Sequence, residues 1–417
     1  MNRFLKHYKY QILLVFIGII WITLLNGLLQ VYDQHHIYPD SESYRQAADL
    51  FYHDFKAHCY RPFGMALIFG IPYIFGGGNA EVFDFSLVIN IMSWLGSALL
   101  VFSFLKKMIT VRKAFIFALA FYSILGLAFV NFHLLTEGIY TFFTLLVFWL
   151  IDRYYAAKSF HYLSIALGLL LFMVLIKPGT KFLAIVLLLV FGGVLIKNFY
   201  KYSMAFIYIS VGLIVFQCVK VKQEYGDFTL SYIDGVTYYN YLGNTAMTLK
   251  TGGTFEEGIQ KRMDYIFSLP HTETKAVAAK DFKDQLSGNT LNLVKGYFIN
   301  IVENTKTPND CIVICKNKAG TGYFDSVQKA FIIISKYQNR IFTALGIIFA
   351  LYYFFSGYKK PDVYTLISFY ILYTIALSGI SSHQGDRFHL VFFPFVIVLA
   401  GKFYAQRYST KIVPVQE

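Results

Sequence analysis

The sequence predicts an all-α polytopic membrane protein. Three observations together favour a bundle of about ten transmembrane helices. Of the 417 residues, 56% are hydrophobic and only 15% are charged, whereas soluble domains carry about 25% charged residues. The apolar residues form long runs, as expected for helices that cross a hydrocarbon core of about 30 Å. The basic residues behind the formal net charge of +13 lie in short loops between these runs, which indicates cytoplasmic loops and not nucleic-acid binding.

Ten apolar runs are candidate spans, although several are shorter than the usual length of roughly 17–25 residues. The first run follows three basic residues. It exceeds the length of a signal-peptide core and lacks a small-residue cleavage site, so we expect it to be retained as a span. The runs cover residues 11–30, 82–105, 114–131, 137–151, 161–176, 182–196, 204–219, 341–357, 363–380 and 388–404.

The charges of the loops set the orientation of the bundle. If every run is one span, the basic loops and both termini fall on the same side of the membrane. The positive-inside rule makes that side cytoplasmic, and its acids are few: Asp152, Asp362 and Glu417. The basic residues on that side are Lys106, Lys107, Arg112, Lys113, Arg153, Lys158, Lys197, Lys201, Lys359, Lys360, Lys402, Arg407 and Lys411.

Two apolar runs are ambiguous, and the orientation resolves both. The run 62–76 is short and contains Pro72, and counting it as a span would move the basic loop 106–113 to the outside. We therefore expect an amphipathic helix on the outer membrane surface. The run 161–196 is flanked by basic loops and interrupted by Lys177-Pro178-Gly179-Thr180-Lys181, a combination that breaks helices. We therefore expect a hairpin whose tip, Lys177–Lys181, lies at the outer surface.

This arrangement divides the chain into three parts. Residues 1–220 form an N-terminal transmembrane module that includes a first outer loop at 31–81. Residues 221–340 form an extracytoplasmic domain, in which the polar stretch 221–328 is expected to be a small helical cap over the bundle. Residues 341–417 provide the last transmembrane helices and a cytoplasmic tail.

The first outer loop contains a candidate catalytic carboxylate. Ionisable groups at the outer ends of apolar spans point to a functional site, because they are costly to place there. Asp40 lies in the segment Tyr38-Pro39-Asp40-Ser41-Glu42-Ser43-Tyr44, where a carboxylate can take a proton from an attacking hydroxyl. The structural alternative is a helix N-cap, because Pro39-Asp40-Ser41-Glu42 is also typical of a helix start.

Basic residues on the outer side are candidate phosphate ligands. Arg61 can bind a phosphate through two parallel hydrogen bonds, or it can anchor to lipid headgroups. Lys177 and Lys181, at the hairpin tip, can receive a phosphate or extend along the membrane to the interface. Each of these residues therefore has a functional and a structural interpretation.

Three further candidates lie near the last and fourth spans. Arg387 and His383 belong to the segment Ser382-His383-Gln384-Gly385-Asp386-Arg387-Phe388, and both are candidate substrate ligands. The structural alternative for Arg387 is an ion pair with Asp386 or a neighbour. Glu137, at the outer end of the fourth span, is a substrate-site candidate whose alternative role is to neutralise one of the cations.

Together these residues predict one outward-facing basic pocket around an isolated carboxylate, Asp40. Such a pocket suits a phosphate leaving group and a carboxylate base. The sequence has no P-loop and no GxGxxG after a strand, so nothing indicates a nucleotide. No Cys/His cluster has zinc spacing, and a divalent metal has no support from the residues. A donor that is activated outside the cytoplasm is therefore expected to be linked to a lipid.

At these residues the chain resembles the bacterial GT-C superfamily of polyprenyl-phosphate-sugar glycosyltransferases, which includes protein mannosyltransferases and the aminoarabinose transferase of lipid A. That family carries an Asp and a Tyr four residues apart in the first outer loop, as Asp40 and Tyr44 are here. A basic residue and a proline open its surface helix, as in Arg61-Pro62-Phe63. Its later outer hairpin and its last spans are matched by Ile176–Lys181, Arg387-Phe388 and Pro394.

The resemblance implies a GT-C-like fold in the bacterial inner membrane and an inverting transfer of a hexosyl or pentosyl group. Asp40 would deprotonate an acceptor hydroxyl, which would attack the anomeric carbon of a polyprenyl-phosphate sugar. Arg61, Lys177, Lys181 or Arg387 would hold the departing phosphate.

The resemblance also has gaps, which leave two features of the function open. The family often has two adjacent acids, whereas Ser41 separates Asp40 from Glu42 here, so metal use stays open. The order of the motifs agrees over residues 1–200 and 340–404, but the stretch 221–328 matches nothing. The acceptor, a glycan, a lipid or a protein, therefore also stays open.

Three other functions are compatible with the sequence. An O-antigen-type polymerase also has many spans and a large outer loop, but it would favour arginine-rich outer loops over a carboxylate in the first loop. A transporter or flippase would place ionisable residues near the span centres, where this sequence has almost none. A non-catalytic membrane scaffold would be insensitive to a change at Asp40.

Overall fold

The computed structural model of the protein describes residues 2–34, 37–382 and 384–408. It is 80% helical, and the described residues contain no β-strand, which confirms the predicted all-α class. Short 3₁₀ turns lie at Tyr32–Gln34, Val130–Phe132 and Tyr202–Met204. The α-helices, in chain order, are α1 Asn2–Leu29, α2 Pro39–Asp54, α3 Phe63–Phe69, α4 Ile71–Ile74, α5 Asn79–Leu105, α6 Val111–Tyr122, α7 Leu125–Phe129, α8 Glu137–Ala157, α9 Phe160–Val174, α10 Thr180–Val190, α11 Gly192–Lys197, α12 Ala205–Tyr225, α13 Ile233–Asn240, α14 Leu242–Thr251, α15 Phe255–Ser268, α16 His271–Gly288, α17 Thr290–Lys306, α18 Asp310–Val313, α19 Phe324–Gly357, α20 Val363–Ser378, α21 Arg387–Leu390 and α22 Phe393–Tyr408.

Four helical stretches are long and apolar enough to cross a membrane. They lie at Tyr8–Leu29, Asn79–Leu105, Tyr202–Tyr225 and Phe324–Gly357. The bent pair Val111–Tyr122 and Leu125–Phe132 makes a fifth if it counts as one span. Helices α9, α10 and α20 are apolar but shorter. The described part of the chain therefore has four or five candidate spans, and the larger count from the sequence stays a prediction.

The run 114–131, expected to be one straight span, is broken between α6 and α7. The two pieces meet at an angle of 69°. The side chain of Gln338, on α19, bonds to both sides of the break: its Oε1 accepts from Leu125 N at 3.0 Å, and its Nε2 donates to Ser123 O. A helix bends where its freed backbone groups find such partners. The bend was missed because Gln338 lies far away in the sequence.

The segment 62–76, expected to be a single surface helix, forms two short helices instead. Gly70 and Pro72 lie at the junction of α3 and α4, where proline removes a backbone donor. Helix α3 is mostly buried in protein: Gly64 N donates to Leu175 O at 3.2 Å, and Phe63 N donates to Gln217 Oε1 at 3.2 Å. The apolar face of α3 is therefore covered by α2, α9 and α12 of the same chain.

The interruption at Lys177–Lys181 is confirmed, because α9 ends at Val174 and α10 begins at Thr180. Helices α9 and α10 pack against each other, as expected for a hairpin. The polar stretch 221–328 is helical, as expected, and consists mainly of α13 to α18. The boundaries drawn at 220 and 340 both fall inside helices, α12 and α19. Neither helix contains a proline that would end it there.

The elements that carry the candidate residues meet on one side of the bundle. The N-terminus of α2 faces the turn before α3, and the first residues of α8 and α21 lie beside it. The turn between α9 and α10 approaches the start of α8. Helix α13, from the polar stretch 221–328, reaches the group through the ion pair of Asp234 with Lys181. Side chains from segments far apart in the sequence thus reach a common space.

Candidate functional site

A cavity of about 750 Å³ lies where these elements meet. Its walls come from α2, the turn before α3, the start of α8, the turn between α9 and α10, the helices α13 to α16, and the segment from α20 to α21. Seven residues named from the sequence line this one cavity: Asp40, Tyr44, Arg61, Glu137, Lys177, Lys181 and Arg387. His383 lies outside the described residues, and its neighbours Ser381 and Gln384 are part of the lining.

Asp40 sits in the first turn of α2 and is bound by two arginines. Its Oδ1 accepts from Arg61 Nη2 at 2.7 Å, and its Oδ2 accepts from Arg387 Nη1 at 2.8 Å. The N-cap residue of α2 is Tyr38, and no side chain caps this helix. The N-cap interpretation of Asp40 is therefore wrong, because both of its oxygens point to guanidinium groups instead of the helix N–H groups.

The charges around Asp40 determine its protonation. Burial alone would raise the pKa of Asp40, but Arg61 and Arg387 outweigh burial and hold that pKa well below its usual range. An opposite charge within hydrogen-bonding distance favours the ionised carboxylate. Asp40 is therefore a carboxylate at neutral pH, and it is a weak base for as long as both guanidiniums hold it.

Arg61 is positioned by its own turn and by α2. Its Nε donates to Ser43 Oγ at 2.9 Å, and its guanidinium lies 4.4 Å from the ring centroid of Tyr44. The turn is held by His58, whose Nδ1 accepts from the backbone N–H groups of Tyr60 at 3.1 Å and Arg61 at 3.2 Å. Burial, helped by the charge of Arg61, lowers the pKa of His58 to about 4. His58 is therefore neutral and can accept both bonds.

Arg387 joins Asp40 to a second carboxylate, Glu137. Its Nη2 lies 3.0 Å from Glu137 Oε1, and its Nη1 donates to Tyr38 OH at 2.9 Å. Lys177 Nζ lies 3.4 Å from the same Glu137 oxygen. Only 2% of the Glu137 side chain is exposed, so this carboxylate depends on the two cations. The structural alternative for Glu137, that it neutralises a cation, agrees with these ion pairs, and its role as a substrate ligand stays a prediction.

The ion pair of Arg387 with Asp386 that the sequence left open does not form. Asp386 instead accepts from Asn309 Nδ2 at 2.7 Å and is buried. Burial raises the pKa of Asp386 to about 8. Neighbouring residues at a helix start point in different directions, and Arg387 turns into the cavity while Asp386 turns away from it.

Lys181 lies at the rim of the cavity and is paired with Asp234 of α13. Both side chains are partly exposed, about one third and one half respectively. Lys177 is further inside, 5.5 Å from the ring of Tyr140. The two lysines of the hairpin tip are therefore not equivalent: one belongs to the buried charge cluster and the other to a solvated ion pair.

The charge balance of the cavity is slightly positive. Its described lining contains four cations, Arg61, Lys177, Lys181 and Arg387, and three carboxylates, Asp40, Glu137 and Asp234. One positive charge is therefore left over. A cavity with this balance favours a singly charged anion.

Three lining or neighbouring residues were missed from the sequence. Ser43 follows Asp40 by three residues, so helical spacing could have placed both on one face. Tyr38 belongs to the quoted loop segment, but its contact with Arg387 has no local signal. Asp234 lies in a polar stretch with no recognisable motif, and only the fold brings it to Lys181.

The described residues include no group of three or more His, Cys, Asp or Glu side chains that could hold a metal ion. The four cysteines are buried free thiols. The two oxygens of Asp40 are already taken by arginines. The described residues of this cavity therefore form an anion-binding site of cationic side chains with a carboxylate beside it.

Comparisons of this chain with family models, with curated proteins and with solved structures give no match. The resemblance to GT-C glycosyltransferases thus rests on the quoted motifs alone. Function has to be inferred from the charge, the shape and the lining of the cavity.

Proposed function

We propose that this chain is an integral membrane glycosyltransferase that moves a sugar from a polyprenyl-phosphate donor to an extracytoplasmic acceptor with inversion. One observation carries the proposal. Arg61 and Arg387 converge on Asp40 in a cavity that keeps one excess positive charge. A phosphate-binding pair of arginines and a carboxylate base are the two groups that this reaction needs.

The excess charge favours a donor with a single phosphate. A sugar linked to a lipid through one phosphate is a phosphodiester with one negative charge, which matches the charge of the lining. A lipid diphosphate, the donor expected for a polymerase of the O-antigen type, would bring at least one charge more. The charge balance therefore favours the monophosphate donor over this second candidate.

The remaining lining suits a lipid-linked substrate. Besides its charged residues, the cavity has apolar and aromatic lining from helices α13 to α16, with Val236, Leu242, Met263, Phe267 and Phe282. The transfer of a lipid chain from water to such an apolar surface is favourable. The charged and the apolar parts of this lining can therefore bind the headgroup and the chain of one molecule.

The reaction that we propose balances in charge and in protons. The acceptor oxygen forms a bond to the anomeric carbon as the bond between that carbon and the phosphate oxygen breaks. The leaving phosphomonoester gains one negative charge, which Arg61, Lys177 and Arg387 stabilise. The acceptor proton passes to Asp40, which becomes a neutral carboxylic acid.

Asp40 can act as a base only after its ion pairs with Arg61 and Arg387 have weakened. The donor phosphate competes with Asp40 for the guanidiniums of Arg61 and Arg387, since all three groups meet in the same cavity. As these bonds shift to the phosphate, the pKa of Asp40 rises towards its ordinary value and its proton affinity increases. Donor binding would thus activate the base in the complex in which it is needed.

The test is transfer by the purified protein in liposomes, with a panel of radiolabelled polyprenyl-phosphate sugars and with glycolipids and peptides as acceptors. Asp40→Asn keeps the size of the side chain but removes its ability to take a proton, so we expect near-complete loss of transfer. Asp49→Asn is the matched control, because Asp49 lies on the same helix and pairs with His53 outside the cavity. Near-wild-type turnover in Asp40→Asn would remove Asp40 from the mechanism.

A further inference from the structure

Helix α17 carries an apolar stripe that the described part of the chain leaves uncovered. Leu291, Val294, Phe298 and Val302 are 67%, 49%, 61% and 47% exposed. Their spacing of three and four residues places them on one side of the helix. A solvated helix of an extracytoplasmic domain would normally present polar residues there.

The opposite side of α17 is polar and buried against the end of α20. Asn300 and Asn304 are almost fully buried. Their side-chain amides donate hydrogen bonds to carbonyl groups at the end of α20, because the last carbonyls of a helix have no partner within it. Asn300 Nδ2 donates to Gly379 O at 3.1 Å, and Asn304 Nδ2 donates to Ser378 O at 2.8 Å and to Ser381 O at 2.7 Å. The polar face of α17 is therefore used within the protein, and its apolar face points outwards.

The contact between α17 and α19 fixes the level of α17 along a candidate span. Asn339 Nδ2, on α19, donates to Asn304 O at 2.7 Å and to Thr307 O at 3.0 Å. The helix from Asn339 to its end at Gly357 rises about 27 Å at 1.5 Å per residue. That is close to the thickness of a hydrocarbon core, about 30 Å. If Gly357 lies at one boundary of the bilayer, the C-terminal end of α17 meets α19 near the other boundary.

The side of α19 that faces away from the protein is apolar over this same length. Ile341, Ile348 and Phe355 are all exposed there, as expected for a lipid-facing helix. Helices α17 and α19 pack against each other. Lys295 also lies on the exposed side of α17, and a lysine next to apolar residues can extend its long side chain to the headgroups. This combination is typical of interfacial helices.

We propose that α17 is an interfacial helix whose apolar stripe contacts bilayer lipid, with Lys295 at the level of the headgroups. The part of the chain expected to be a small helical cap over the bundle is then in contact with the membrane through this helix. The inference rests on the packing of α17, α19 and α20 and is independent of the proposed activity.

Spin labels on single added cysteines in the full chain, reconstituted in liposomes, test this inference. Labels at Leu291→Cys and Phe298→Cys report on the stripe. Ile348→Cys, on the apolar side of α19, is the reference for lipid, and Lys283→Cys, on the exposed side of α16, is the reference for water. Unmodified protein corrects for the four buried native cysteines. The measurement is the collision rate of each label with oxygen, which dissolves in lipid, and with a water-soluble nickel chelate.

We expect both stripe labels to match the label at 348, with collisions shifted from nickel towards oxygen. Labels that match the one at 283 would show that the stripe faces water and would overturn the inference. Low collision rates with both reagents would show that protein covers the stripe, either a second copy or a partner, and would overturn it as well. Two positions are used so that one poorly folded variant does not decide the result.

Discussion

Replacing Arg61 by alanine removes one of the two guanidiniums that hold Asp40 and leaves the other in place. Arg61 bonds to Asp40, Ser43 and Tyr44, all of which belong to the same side of the cavity. Asp40 keeps its bond to Arg387 in this variant. The substitution therefore removes a proposed phosphate ligand without leaving a fully buried carboxylate unpaired.

The expected loss follows from the bonds that are exchanged. In the free protein Arg61 bonds to Asp40, and in the proposed donor complex it bonds to the phosphate instead, so the value of one charge-assisted bond is the upper limit of the loss. Such a bond is worth about 1.5–3 kcal/mol, which corresponds to roughly a 10- to 150-fold lower kcat/KM for the donor. Arg61→Lys keeps the charge but loses the two-point geometry, so we expect a smaller loss of the same kind.

The assay varies the donor and the acceptor separately for each variant. We expect the loss in the donor titration and little change in the acceptor KM. Arg45→Ala is the matched control, because Arg45 lies on α2 and pairs with Glu42 away from the cavity lining. An equal loss for both substrates would mean that Arg61 only maintains the fold. An unchanged donor titration would refute the phosphate assignment.

The same variant, Arg61→Ala, should also change the pH dependence of kcat/KM. Arg61 lowers the pKa of Asp40 in the free protein, so its removal raises that pKa. A base acts only when it is deprotonated, and kcat/KM reports the groups of the free enzyme. We therefore expect the acid limb of kcat/KM to move to higher pH in Arg61→Ala but not in Arg45→Ala. An acid limb that stays in place would show that another group titrates there.

Three further predictions concern stability and topology. In Arg387→Ala the carboxylate of Glu137, only 2% exposed, keeps Lys177 as its one ion-pair partner. Breaking a buried pair costs about 3–5 kcal/mol, so we expect a larger fall in Tm in detergent than for Arg61→Ala. An equal fall in the two variants would contradict this. Burial raises the pKa of Asp386 from 3.8 to about 8, so the folded protein favours the protonated form and loses stability as the pH rises between these values. Asp386→Asn should therefore reduce the fall in Tm over this pH range. An unchanged slope of Tm against pH would mean that another group causes the fall. The loop charges predict that Thr110 lies inside and Glu256 outside, and both side chains are exposed. An impermeant thiol reagent on intact cells should label Glu256→Cys and not Thr110→Cys, and the reverse pattern would overturn the predicted orientation.

The sequence by itself determined the all-α class, the interruption at Lys177–Lys181 and which residues to examine. These features depend on short-range physics. The length of an apolar run and the effect of Pro178 and Gly179 on a helix act over a few residues. Ionisable residues at the ends of apolar runs are also visible locally, and the seven described ones line one cavity. Their roles in binding and catalysis stay predictions.

Only the tertiary structure decided how these residues are paired. Asp40 and Arg387 are 347 positions apart, and Lys181 meets Asp234 of a stretch in which no motif was visible. The bend between α6 and α7 depends on Gln338 of α19, and the level of α17 depends on Asn339. Bonds of this kind form between side chains that distant segments bring together. They leave no periodicity or spacing in the chain, because their energy depends on geometry that exists only after the helices have packed.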